Sequence, residues 1–231
     1  MTDYVKQNLE AVKGALHAAE LAAGREGKTT LIAAVKYATD EELRELISLG
    51  VRDVGENRVQ QLLAHMSAYE GAPVRVHFIG TLQKNKIKYI IDKVYAIHSV
   101  DSSSLAHELD RHAGKAGCNP RVLVEVNIGR ESAKGGVMPE DTEALCREIE
   151  ALPNLTLTGL MTMAPRCESE AEYRAYFGQA RDLARTVWQA LGREDQPVLS
   201  MGMSESFVAA IAEGADMVRV GRRLFVNEVE N

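Results

Sequence analysis

The chain has 231 residues, 45% of them apolar, and a formal net charge of -6 at pH 7. A chain of this size buries a core without disulfide or metal staples, and its acidic balance gives no sign of a nucleic-acid or anionic-membrane partner. Its apolar runs, such as Leu31 to Val35, are far too short to span a bilayer.

Residues 1–25, "MTDYVKQNLEAVKGALHAAELAAGR", carry Asp3, Glu10 and Glu20 at amphipathic spacing. They read as a helix packed on the remainder and not as a signal peptide. A regular alternation follows. Short β-branched runs fall at 29–36, 51–57, 74–80, 94–101, 121–129, 155–163, 196–203 and 216–221. Helical patterns separate them, such as "TDEELRELISLG", with a capping residue, acids in its first turn and a closing glycine. The short "QKNKIKYIIDK" and the long "SEAEYRAYFGQARDLARTVWQALG" are two more, and the helix after the eighth strand is absent or very short. Strands alternating with helices imply a parallel sheet. Eight units in one chain of this length favour a single-domain closed (β/α)8 TIM barrel over residues 1–231, ahead of an open doubly wound sheet.

Cys118, Cys146 and Cys167 are odd in number and widely spaced, which suits reduced thiols and a cytoplasmic location. "HELDRH" superficially suggests a zinc helix, but His107 and His112 are five apart and splay by about 140° around a helix. No metal site is expected.

Barrel function sits at the C-terminal ends of the strands, with phosphate usually bound after strands seven and eight. Those two ends read "SMGMS" and "RVG". Gly202 and Gly221 let backbone N–H groups close on an anion. Ser204 and Ser206 add hydroxyls at the start of a helix, or one of them simply caps it. Lys36 ends the first strand after "LIAAV". Apolar neighbours there would favour a neutral, nucleophilic amine; otherwise it is an ordinary strand-end lysine. Arg219 shares a strand side with Gly221 and needs a partner if buried. Asn57 and Asn127 stand at other strand ends, and His77 reads as a packed strand histidine. An amine, anion donors and a ring-nitrogen partner together suit pyridoxal 5'-phosphate (PLP).

The segments "AAVK", "DVGENRVQQ", "HFIGTLQKNK", "LVEVNIGRESAKGGV", "GLMTMAP", "LSMGMS" and "MVRVG" occur in this order. In them the chain resembles the YggS/PROSC family of PLP homeostasis proteins, from about Leu31 to Phe225. The resemblance implies a barrel of the alanine-racemase N-terminal type. It implies that PLP is held as a Schiff base on Lys36, with Ser204 and Gly221 at the phosphate. It further places Met201 beside the cofactor, Arg219 at the ring nitrogen and Asn57 near the ring. Arg222 departs from the family's usual small hydroxyl residue and either pairs with phosphate or faces solvent, solvent being favoured by strand alternation. "VKYAT" and "FVNEVEN" also differ from the usual pattern.

The expected function is PLP buffering and delivery without substantial catalysis, with apo PLP-dependent enzymes as recipients and a monomeric or weakly dimeric state. The alternatives are an amino-acid racemase, or a barrel that binds another phosphate and uses Lys36 on a different carbonyl. Two-domain racemases take a tyrosine from a β-domain after the barrel. This sequence stops six residues after Phe225, so no such domain is expected here.

Overall fold

A computed structural model describes residues 3–36 and 38–226. Residues 1–2, Tyr37 of the "VKYAT" stretch and residues 227–231 of "FVNEVEN" lie outside the described residues. The strands are β1 (Thr30–Ala34), β2 (Asp53–Glu56), β3 (Arg75–Phe78), β4 (Ala96–Val100), β5 (Arg121–Val126), β6 (Thr156–Thr162), β7 (Val198–Met203) and β8 (Met217–Val220). Each pairs in parallel with the next, and β8 pairs with β1, so the sheet closes into an eight-stranded barrel. This is the expected TIM barrel.

The helices are α1 (Asp3–Ala22), α2 (Asp40–Ser48), α3 (Val59–Tyr69), α4 (Ser103–Ala116), α5 (Thr142–Glu150), α6 (Glu170–Ala190), α7 (Phe207–Ala212) and α8 (Arg222–Phe225). The segment after β3 is a 3-10 turn, Lys84–Tyr89. Local chemistry starts and stops these elements. Thr39 accepts the Glu42 N–H while Glu42 reaches back to the Thr39 N–H, a capping box that begins α2. Gly117 closes α4 in the left-handed conformation. Helix α1 packs against α2, α7 and α8. No described helix is long and apolar enough to cross a membrane.

Alternation along the strands divides the interior in two. One side of each strand feeds a continuous apolar layer under the helices, including Val54, Phe78, Ile97, Val122, Val124 and Leu199. The other side faces the lumen. His98 of β4 and Ser200 of β7 meet at 2.9 Å although their strands are not neighbours, so the contact crosses the lumen. Gly55 makes room there: a Cβ would lie 2.8 Å from Ile79 and 2.9 Å from Ile32. The lumen is therefore close-packed, and its centre is polar.

Candidate functional site

The strand register gathers the suspected residues at one rim of the barrel. Met203 pairs with Arg219, and Ala33 pairs with Val220. The ends of β7, β8 and β1 consequently rise side by side, with Lys36 two residues beyond Ala34. Gly221 lies directly against β1, where a Cβ would be 2.9 Å from the Ala34 carbonyl oxygen and 3.2 Å from its Cβ. Gly202 has φ +92, a conformation that favours glycine. The chain then turns at residues 203–206, where the Ser206 N–H donates to the Met203 carbonyl and the Met203 N–H donates to Ser206 Oγ.

That turn revises one expectation. Ser206 stands at the N-cap of α7, but its hydroxyl is engaged by Met203 and does not cap the helix. Helix α7 is only six residues long, too short to supply much of a dipole field. The donors come from the turn itself. Among the described residues, the N–H groups of Ser204, Glu205 and Gly221 have no hydrogen-bond acceptor. Ser204 is buried beside them. Free N–H groups at a glycine-lined turn suit an anion without help from a helix.

Arg222 turns outward, with a 71% exposed side chain and Glu205 as a distant ion-pair partner at 3.8 Å. The Arg223 guanidinium stacks over the Phe207 ring. Lys36 follows the buried Val35 but is itself exposed, so the apolar surroundings expected for its amine are not provided. Gln61 holds its backbone, donating to the Lys36 carbonyl at 3.0 Å.

Asn57 follows β2, the strand paired with β1. Its Oδ1 is buried and accepts no hydrogen bond among the described residues. Gly80 packs onto the Asn57 main chain so tightly that a Cβ would lie 2.2 Å from its carbonyl oxygen, which accounts for the glycine of "HFIG". The preceding Glu56 turns outward, accepting from the Tyr69 hydroxyl at 2.5 Å and bonding His65 at 2.7 Å. Asn127 is a brace: it donates to the Glu131 and Lys134 carbonyls and accepts the Glu131 N–H. Met201 is fully buried in the apolar layer under the helices, beside Ala180 and Leu183. Its side chain therefore faces away from the lumen, and any contribution at the rim falls to its main chain.

Arg219 is buried in the lumen. It donates through Nη1 to Ser200 Oγ at 2.7 Å and through Nη2 to the Thr162 carbonyl at 3.0 Å. Burial lowers its pKa to about 10, with Glu125 opposing, so the guanidinium stays charged at neutral pH. Glu125 is also nearly buried, and burial together with Asp101 raises its carboxyl above the usual range against the pull of Arg219. Behind Arg219, Ser200 meets His98, His98 meets His77 at 2.9 Å, and His77 Nε2 meets Asp53 Oδ1 at 2.9 Å. Burial would raise the Asp53 carboxyl, but the hydrogen bonds from His77 and Arg75 hold it below the ordinary value. The sequence by itself does not single out Ser200, His98, Asp53 or Glu125, and in it His77 reads as a packed strand histidine. Their only local signal is polarity at lumen-facing strand positions. A recess of about 530 Å³ beside the mouth, lined by Gln83, Lys84, Asp101 and Ser102, includes none of the rim groups.

One rim thus holds a primary amine, a set of free backbone N–H groups and a buried donor-only cation. The family model for the alanine racemase N-terminal domain matches residues 5–228. A protein of Aquifex aeolicus named pyridoxal phosphate homeostasis protein is 42% identical over 208 residues, 90% of this chain and 91% of the relative. The chain belongs to the pyridoxal phosphate homeostasis protein family. Among solved structures, PipY of Synechococcus elongatus with PLP bound matches with TM-score 0.81 and 35% identity, over 92% of this chain and 99% of that one. Alanine racemase of Clostridium difficile shares the fold at TM-score 0.78 and 17% identity; the match spans 97% of this family member and 57% of the racemase.

Proposed function

We propose that this chain binds PLP as a Schiff base on Lys36 and holds it for buffering and delivery, without substantial turnover of amino acids. The residues present fit the group. The free N–H groups of Ser204, Glu205 and Gly221 suit its phosphate, and the approach of Gly221 to Ala34 brings that cradle beside the lysine strand. Asn57 Oδ1, a buried acceptor without a donor, suits a hydroxyl or amine at the ring. The family and the PLP-bound relative support the same cofactor.

The observation that carries the reading is the fixed, buried guanidinium of Arg219. Arginine offers donors only, so the pyridine nitrogen facing it accepts a hydrogen bond and stays unprotonated. PLP supplies an electron sink to bound amines, and that sink is weak when the ring nitrogen carries no proton. Arg219 therefore favours holding over racemisation or transamination. Lys36, exposed at the rim, is reachable by water and by an incoming amine, which suits exchange.

Borohydride reduction of the PLP-loaded protein, followed by peptide mapping, tests the attachment. The label is expected on Lys36 and is lost in Lys36→Ala, while the melting temperature of the apo protein changes little because the side chain is exposed. Label on Lys84, Lys86 or Lys134 in its place refutes the assignment. A robust alanine or serine racemase rate that disappears in Lys36→Ala refutes the carrier reading.

A further inference from the structure

We propose that Ser200, His98, His77 and Asp53 are positioning residues, which fix the Arg219 guanidinium through one unbroken row of hydrogen bonds across the barrel lumen. The inference rests on reading Arg219 as the partner of the pyridine nitrogen. The row comprises Arg219 Nη1 to Ser200 Oγ (2.7 Å), Ser200 to His98 Nδ1 (2.9 Å), His98 Nε2 to His77 Nδ1 (2.9 Å) and His77 Nε2 to Asp53 Oδ1 (2.9 Å). All five side chains are buried. Arg75 closes the far end, donating to Asp53 Oδ2 at 2.6 Å from a half-exposed position.

The two ends dictate the direction of every bond between them. Arg219 can only donate, so Ser200 Oγ accepts. Ionised Asp53 can only accept, so His77 Nε2 carries a proton. In a neutral imidazole His77 Nδ1 is then an acceptor, which requires a proton on His98 Nε2 and leaves His98 Nδ1 to accept from the Ser200 hydroxyl. Every donor in the row thus points from Arg219 toward Asp53. The reverse arrangement puts a proton on both nitrogens of His77, a second cation in the row, and leaves the Ser200 hydroxyl proton without an acceptor. The forward arrangement satisfies each side-chain polar atom from Ser200 to Asp53, as buried networks must be.

The consequence falls on Arg219. Ser200 and the Thr162 carbonyl occupy one N–H on each terminal nitrogen, which leaves three of the five guanidinium N–H groups uncommitted. With its plane held from behind, the guanidinium meets the ring nitrogen without first losing rotamer freedom.

The test compares PLP with 1-deazapyridoxal 5'-phosphate, the isostere with C–H at the ring-nitrogen position. Wild type should prefer PLP. Ser200→Ala should weaken PLP about tenfold, the worth of one hydrogen bond to a charged group. It should leave the isostere within about twofold, and Ser200→Thr should restore PLP binding. His98→Gln, which keeps one acceptor and one donor, should act more mildly in the same sense. Equal weakening of both ligands, or of neither, overturns the positioning role. A wild type that binds both ligands equally refutes the Arg219 reading itself and is seen without any variant. Imidazole nitrogen NMR of the apo wild type needs no ligand: neutral Nε2–H tautomers at His77 and His98 near pH 7 are expected. A doubly protonated His77, or an Nδ1–H His98, overturns the row.

Discussion

Gly221→Ala places a Cβ 2.9 Å from the Ala34 carbonyl oxygen, about 0.5 Å inside the 3.4 Å at which ordinary contact begins, and 3.2 Å from the Ala34 Cβ. The obstacle on the oxygen side is backbone and cannot rotate away, so β1 and the end of β8 must separate. Overpacking of this kind costs about 1–3 kcal/mol. Gly221 has φ -123, outside the left-handed region that favours glycine. Ala34 lies two residues before Lys36, so the displacement moves the amine and the cradle relative to each other. If the distortion is relieved in the apo protein and must be reversed on binding, the dissociation constant of PLP rises by roughly 5- to 150-fold. Titration of the purified apo protein with PLP, followed by absorbance, measures it. Pyridoxal, which lacks the phosphate, should bind weakly to both proteins and lose much less. Gly192→Ala is the control: with φ +71 and open space around it, it should cost about 1 kcal/mol of stability and leave PLP affinity unchanged. An unchanged PLP dissociation constant and melting temperature for Gly221→Ala would refute the close-approach argument.

Arg222→Thr removes an exposed cation whose ion pair with Glu205 spans 3.8 Å; stability should change by less than about 0.5 kcal/mol and PLP affinity should hold or tighten. A tenfold loss would show that Arg222 swings onto the phosphate. His98 supplies a pH signature. Burial, with the charge of Arg219 beside it, holds its imidazole well below 6.5, so below that value the unfolded chain takes up a proton that the folded chain refuses. Stability should therefore fall as pH drops below about 6.5, by up to about 1.4 kcal/mol per unit from this group, and level off above it. His98→Gln should flatten that slope in urea melts between about pH 5 and pH 7; an identical slope would assign it to other groups.

Local physical chemistry alone accounts for the order of the elements. A β-branched run, a capping threonine or a closing glycine acts within a few residues, so "TTLIAAVK" and "TDEELRELISLG" declare strand and helix wherever they stand. The rim residues were legible for the same reason: Lys36, Asn57, Ser204, Arg219 and Gly221 follow or end strands, and a parallel barrel carries all such ends to one face. The side of Met201, the length of α7 and the exposure of Lys36 were not legible. The first depends on which face of β7 the closed barrel turns inward, with Ser200 in the lumen and Leu199 and Met201 under the helices, and the others on where the chain turns after the strand. The row behind Arg219 lay furthest from sequence reading. His98 and Ser200 are 102 residues apart on strands that do not pair, and nothing near either residue announces the other. Only closure of the barrel brings them to opposite walls of one narrow lumen, where exclusion of water forces each polar group to find its partner across the axis.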